Sequence, residues 1–222
     1  MADNALGVRN IRQHMYQSAL KMGTPACIVN PVTMVIFDLF SIKFTHTFNP
    51  LDATISQYAL GPTGWLEKTG ILLVALAFIL LGMNLLSNRK NTELPVNTIC
   101  AIMFLVVGAG FLMVILFNVD TTNGISSFHG FMHMFAAIAT SLIFPIACLL
   151  LSFDLANNHK RNSLAVYTAL TGLIGFGAVM WIAFPSNRVA WIGLSERTLA
   201  GLNLMWLIFI APKIIKISNE IQ

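Results

Sequence analysis

Charged side chains are scarce in this sequence. Only 10% of the 222 residues are Asp, Glu, Lys or Arg, whereas 56% are hydrophobic and the mean hydropathy is +0.75. Soluble domains carry charge at roughly 25% of their positions. The composition therefore excludes an ordinary soluble domain and predicts an integral membrane protein, in which about 20 apolar residues make one crossing.

Basic clusters and paired cysteines are also missing. The net charge is +4, but the Lys and Arg residues stand singly or in pairs beside apolar runs, which argues against a nucleic-acid surface. Cys27, Cys100 and Cys148 lack the spacing of a zinc or redox motif, and we predict that they fill apolar space. The N-terminal stretch has no apolar core followed by a cleavage site, so we expect the first crossing to act as the targeting signal.

Apolar runs long enough to cross a bilayer divide most of the chain. They cover residues 26–44, 70–86, 99–117, 130–151, 164–184 and 199–215. We predict an all-α bundle of six transmembrane helices. It occupies residues 24–217, after a polar and partly amphipathic leader (1–23) and before a short cytoplasmic tail (218–222).

The distribution of Lys and Arg predicts the orientation. Nine of them fall on the side of both termini and four on the other side, so the positive-inside rule places both termini in the cytoplasm. The opposite end of the bundle, which we call the outer mouth, then collects most of the reactive side chains. They are His46, Asp120, His129, Arg188, Glu196 and Arg197, with His133 one turn deeper.

Two histidines four residues apart suggest a metal site. His129 and His133 share one face of a helix, and Asp120 or His46 would complete a partial ligand shell. The pattern lacks the Glu of the metalloprotease helix. A haem between His46 and one of the other two is a further hypothesis, but nothing in the sequence requires a cofactor.

Structural roles are the alternative explanation of the same residues, and the stronger one. Asp120 would hold its loop by accepting backbone hydrogens, His129 would cap or orient its helix, and His133 would bond to a neighbouring helix. A third interpretation is a polar pocket for a membrane lipid, in which Arg188 and Arg197 bind the phosphate of the headgroup.

Several short elements resemble the bacterial membrane family known as domain of unknown function 998. They are ISQYALG (55–61), a looser FNVD ending at Asp120, HGFMH (129–133) and GLSER (193–197). The resemblance runs from about residue 30 to 212 and implies about six spans and a location in the bacterial inner membrane. It marks Asp120, His129, His133, Glu196 and Arg197 as positions of interest but implies no reaction.

Three classes of function follow. The first, which we favour, is a binding or accessory membrane protein with a lipid in its pocket, as a subunit of a larger membrane assembly. The second is an interfacial hydrolase that uses His and Asp, with or without a metal. The third is a small transporter, although only the first span, through Pro31, has the broken character that transporter helices show.

Overall fold

The computed structural model describes residues 2–46, 48–87, 95–120, 125–157, 161–183 and 191–220. Within these ranges the chain forms eight helices and no strand. They are α1 (Ala2–Phe44), α2 (Ile55–Tyr58), α3 (Gly64–Ser87), α4 (Pro95–Leu116), α5 (Phe128–Ala156), α6 (Asn162–Ala183), α7 (Ile192–Phe209) and α8 (Ala211–Glu220).

Six stretches of these helices are long and apolar enough to cross a membrane, and each overlaps one predicted run. They are Met22–Phe44, Gly64–Ser87, Thr98–Leu116, Phe128–Ala156, Asn162–Ile182 and Ile192–Ile217. The predicted all-α fold with six spans is confirmed, and the chain is a multi-pass membrane protein. The predicted leader is helical and continues into the first span, because α1 begins at Ala2.

The helices pack as a closed ring in chain order. Each of α1, α3, α4, α5 and α6 packs against the next long helix, and α7 with α8 returns to α1. Small residues permit this close packing. A Cβ added to Gly108 would lie 2.9 Å from the Ala75 carbonyl oxygen, and one on Gly172 would lie 2.9 Å from that of Pro145.

Aromatic side chains fill the middle of the ring. Phe78, Phe104, Phe144 and Trp206 come from four different helices and are fully buried. The ring of Trp206 lies 5.2 Å from that of Phe104 and 5.6 Å from that of Phe144, centroid to centroid. Its indole N–H also donates to the Thr168 hydroxyl at 3.3 Å. A solute path along the bundle axis would therefore have to pass through packed rings.

The three cysteines are buried among the helices. Cys27, Cys100 and Cys148 are free thiols with no exposed surface. The Cys100 thiol faces the Ala147 carbonyl oxygen of the neighbouring helix at 3.7 Å. The prediction that these residues fill apolar space is confirmed.

The connection from α1 to α3 folds back over one end of the bundle. Thr54 caps α2 through its hydroxyl, which accepts from the Gln57 N–H at 3.1 Å, while the Gln57 side chain accepts from the Thr54 N–H at 2.9 Å. This reciprocal pair fixes the start of the helix. The Leu194 N–H donates to the Leu51 carbonyl at 3.0 Å and ties the connection to α7.

Candidate functional site at the polar end of the bundle

The connection covers the end of the bundle where the outer mouth was predicted. We call this end the polar end. The C-terminal ends of α1 and α4 meet the N-terminal ends of α3, α5 and α7 there, because successive crossings run in opposite directions. Lys68 at the start of α3 donates to the Asn118 side chain after α4 at 3.0 Å. The polar residues of five crossings therefore lie near one another in space.

Arg197 of α7 is bound by several partners at this end. Its Nε and one terminal nitrogen donate to the two carboxylate oxygens of Asp38 in α1, each at 3.0 Å. Its other terminal nitrogen donates to the carbonyl oxygens of Pro50 and Ala53, each at 2.8 Å. The guanidinium carbon also lies 5.0 Å from the centre of the Tyr58 ring. One side chain thus joins α1, α7 and the connection between α1 and α3.

The Asp38–Arg197 pair is largely removed from water. The two side chains are only 15% and 16% exposed, and truncating one partner of a buried pair costs about 3–5 kcal/mol. Of the five N–H groups of a guanidinium, these bonds occupy four. The expectation that Arg197 binds a phosphate does not fit this geometry. The two guanidinium nitrogens that would bind the phosphate already donate to the Asp38 carboxylate.

Tyr58 is a buried residue of the connection between α1 and α3. Its hydroxyl donates to the Phe48 carbonyl oxygen at 2.9 Å, and its ring has no exposed surface. Burial raises the pKa of the phenol above its ordinary value, although the charge of Arg197 opposes the shift. The hydroxyl therefore stays protonated and remains a donor.

Glu196 binds the start of α2. One of its carboxylate oxygens accepts from the Ile55 N–H at 2.7 Å. Gly193, one turn earlier, lets the connection approach α7, because a Cβ there would lie 2.3 Å from the Ala53 carbonyl oxygen. In the GLSER element the glycine admits the connection, and the acid and the arginine bind its backbone.

Glu67 is an ionisable residue of the site that sequence reasoning missed. Its side chain has no exposed surface. Its carboxyl group lies beside Ser41 and Asp38 and also interacts electrostatically with Arg197. The available signal was an acid directly before the apolar run that starts at Gly70, where a carboxylate needs protein around it.

His133 joins three segments through both ring nitrogens. It is 5% exposed. Nδ1 lies 2.7 Å from the Phe117 carbonyl oxygen and 3.1 Å from that of Val114, at the end of α4. Nε2 lies 3.0 Å from the Ser56 hydroxyl of α2. The position agrees with the hypothesis that His133 bonds to neighbouring helices.

The partners of His133 define which nitrogen carries the proton. Carbonyl oxygens only accept, so Nδ1 must be the N–H donor. In the neutral ring Nε2 is then an acceptor for the Ser56 hydroxyl, which also interacts with the Glu196 carboxyl. In the sequence Ser56 belongs to the ISQYALG element, and nothing there connects it with His133, because 77 residues separate the two.

Asp120 organises the turn before α5. Its carboxylate accepts from the Ser127 hydroxyl at 2.6 Å and from the Ser126 and Ser127 N–H groups at 2.7 and 3.1 Å. The Ser127 hydroxyl bond and then the Ser126 N–H lower the pKa of Asp120 to about 2. A Cβ on Gly130 would overlap this carboxylate, which accounts for the glycine of HGFMH. The predicted role of Asp120 in holding its loop fits these contacts.

His129 takes no part in capping. Ser127 is the N-cap of α5, since its hydroxyl accepts from the Gly130 N–H at 2.9 Å. The His129 ring is exposed and lies 5.4 Å from the Phe117 ring. The alternative that His129 caps its helix is therefore wrong.

The metal hypothesis finds no support in this geometry. Among the residues that the structure describes, no group of three or more His, Cys, Asp or Glu side chains is placed to hold a metal. His46 is exposed on the turn after α1 and takes no part in the bonds of Asp120 and His133 described above. Arg188, the remaining predicted site residue, lies outside the described residues.

Two cavities meet at Ser56. The larger has a volume of about 100 Å³ and is partly open; its walls are mostly apolar side chains of α1, α3, α4, α5 and α7. Its polar lining consists of Ser56, Thr140, Ser141, Glu196 and Asn203. The smaller, about 10 Å³, is lined by Ser56, His133, Lys68 and Asn118 among others and has room for about one water molecule.

Comparison with known proteins assigns the family. Neither a curated protein nor a solved structure matches the chain. A family model described as "Protein of unknown function (DUF998)" matches residues 28–212. This range contains every element described above as part of the polar end, from Asp38 to Arg197. The chain belongs to the DUF998 family.

Proposed function

We propose that this protein binds the head of a neutral amphiphile in the larger cavity, with the polar groups towards Glu196 and the adjoining carbon atoms against the apolar walls. The observation that carries the proposal is the cavity itself, which combines mostly apolar walls with a few polar groups at one place. Such a combination is typical of small-molecule sites in proteins.

The polar lining favours a head group that donates hydrogen bonds. The side-chain oxygen of Asn203 is buried and has no hydrogen-bond partner within the described residues, so it is available as an acceptor. Glu196 adds carboxylate oxygens, and no described lining residue is Lys or Arg. An anionic head group would find no cation among these residues, whereas the hydroxyls of a monoacylglycerol would find acceptors.

The orientation and the partners remain predictions from the sequence. The distribution of Lys and Arg supports an arrangement with both termini in the cytoplasm and the polar end outside. The bacterial inner membrane is proposed from the family resemblance alone. That the protein is a subunit of a larger membrane assembly is likewise a proposal made from the sequence. The larger cavity lies inside a single chain and does not require a partner.

The test uses a matched pair of substitutions on α7. Ala200→Phe places a ring in the cavity that Ala200 lines, while Gly201→Phe adds the same ring where a Cβ meets nothing within 4 Å. Detergent-purified protein is incubated with fluorescent monoolein, and lipid retained after extraction from the membrane is identified by mass spectrometry.

We expect wild type and Gly201→Phe to bind monoolein alike and to retain about one neutral amphiphile per chain. Ala200→Phe should reduce binding by at least about tenfold, since 1.4 kcal/mol of lost contact suffices for that factor. Equal binding by the two variants, or retention of anionic phospholipid alone, would contradict the proposal.

A further inference from the structure

Ser56 and His133 form a pair that the binding proposal does not use. The Ser56 hydroxyl lies 3.0 Å from Nε2 of His133, a distance at which a base takes a proton from a nucleophile. The two residues come from α2 and α5, and both are at least 91% buried. A buried serine within hydrogen-bond distance of an imidazole nitrogen is the arrangement by which serine hydroxyls are activated.

The imidazole is held in the tautomer that this chemistry needs. Nδ1 donates to the Phe117 and Val114 carbonyl oxygens, so its proton is fixed on the far side of the ring from Ser56. In catalytic triads a carboxylate fixes the tautomer in the same way. Here backbone carbonyl oxygens at the end of α4 serve as the orienting group.

The surroundings of Ser56 supply both reactants. Ser56 lines the larger, apolar cavity proposed above for the amphiphile, and it also lines the smaller cavity that has room for one water molecule. Lys68 and the exposed Asn118 also line the smaller cavity. An acyl chain in the larger cavity and a water molecule in the smaller one would therefore both reach the hydroxyl.

We infer that Ser56 is the nucleophile and His133 the general base of an esterase that cleaves the acyl ester of the bound neutral amphiphile. Ser56 Oγ adds to the ester carbonyl carbon while its proton passes to His133 Nε2. The carbon–oxygen bond to the alcohol breaks, and the alcohol leaves with that proton. Water then adds to the acyl-serine, His133 Nε2 takes a proton from it, and this proton returns to Ser56 Oγ as the acid departs. The sum is ester plus water giving acid plus alcohol.

The test measures covalent labelling and turnover in the full chain. Protein in detergent is treated with an alkyl fluorophosphonate, and the modified residue is identified by peptide mass spectrometry. Hydrolysis of monoolein is followed in parallel by release of oleic acid. We expect an adduct on Ser56 of the wild type, no adduct on Ser56→Ala, and a fall in turnover of at least about 10³-fold in that variant.

Two further variants complete the design. Ser152→Ala removes a buried serine whose hydroxyl bonds to the Leu149 carbonyl oxygen of its own helix, and it should label and turn over like the wild type. His133→Gln should lose labelling of Ser56. If His133→Gln does not fold, the test rests on the adduct at Ser56 of the wild type and on its loss, together with the loss of turnover, in Ser56→Ala.

The inference rests on the proposed binding function, and the outcomes separate the two. Monoolein binding that is blocked by Ala200→Phe, together with an unlabelled Ser56 and no release of oleic acid, would overturn the esterase inference alone. Turnover in Ser56→Ala equal to that of the wild type would also overturn it. Absence of monoolein binding in the wild type would overturn the proposed function as well.

Discussion

The ionisable side chains at the polar end form hydrogen bonds mainly with backbone groups. Arg197 binds the carbonyl oxygens of Pro50 and Ala53, Glu196 binds the Ile55 N–H, and Asp120 binds the N–H groups of Ser126 and Ser127. Loops near hydrocarbon cannot rely on water to satisfy their backbone. These residues therefore let irregular chain lie at the mouth of a membrane bundle.

The carboxylate of Asp120 should titrate far below its ordinary pKa near 3.8. Its pKa in the folded protein is about 2, chiefly because the Ser127 hydroxyl donates to the charged form. The bonds therefore stabilise the turn at any pH above the ordinary value. That contribution fades as the pH falls from about 4 through about 2, where the carboxyl becomes protonated.

Carboxyl NMR of the protein labelled at Asp checks this value, with Asp120→Asn to assign the signal. Ser127→Ala should raise the pKa of Asp120 towards its ordinary value. Titration of wild-type Asp120 near pH 4 would show that the turn does not hold the carboxylate.

At the scale of elements, α7 and the connection between α1 and α3 behave as one unit. The first two turns of α7 supply Gly193, Glu196 and Arg197, which face the connection on one side of the helix. The Leu194 N–H adds a backbone bond to Leu51 at 3.0 Å. The connection is thereby held in place, and Ser56 is carried to His133.

Substitutions of two glycines in α7 should have opposite effects. Gly193→Ala would force a methyl group to within 2.3 Å of the Ala53 carbonyl oxygen and should destabilise the fold by about 1–3 kcal/mol. Gly201→Ala meets open space and should be neutral or stabilising by up to about 1 kcal/mol, because alanine favours a helix.

Thermal unfolding in detergent measures both changes, each against the wild type. Equal transition temperatures for Gly193→Ala and Gly201→Ala would mean that the connection does not lie against the start of α7.

At the scale of the whole molecule, the fold was more predictable than the site. Hydropathy is a local property, so six apolar runs suffice to predict six crossings, and alternating directions place Asp120, Glu196 and Arg197 at one end. The pairing of Asp38 with Arg197 spans 159 residues and depends on which helices are neighbours. Since the sequence does not state that order, the partner of Asp38 could not be named.

Ser56 is a second residue whose role the sequence alone does not reveal. A serine in a polar loop is unremarkable by composition. Its significance comes from the fold of the connection, which brings α2 over the end of α5. The ring of six crossings around an aromatic centre thus determines the site more than any single motif does.

The central claim is that these polar groups converge at one end of the bundle, and it can be tested by cysteine labelling from either side of the membrane. Single cysteines replace the exposed Ile125, Trp191 and Asn157 in a chain whose three buried cysteines are alanine. Before permeabilisation of the cell, a membrane-impermeant maleimide should modify Ile125→Cys and Trp191→Cys, but Asn157→Cys only afterwards. Labelling of positions 125 and 191 from opposite faces would contradict the claim.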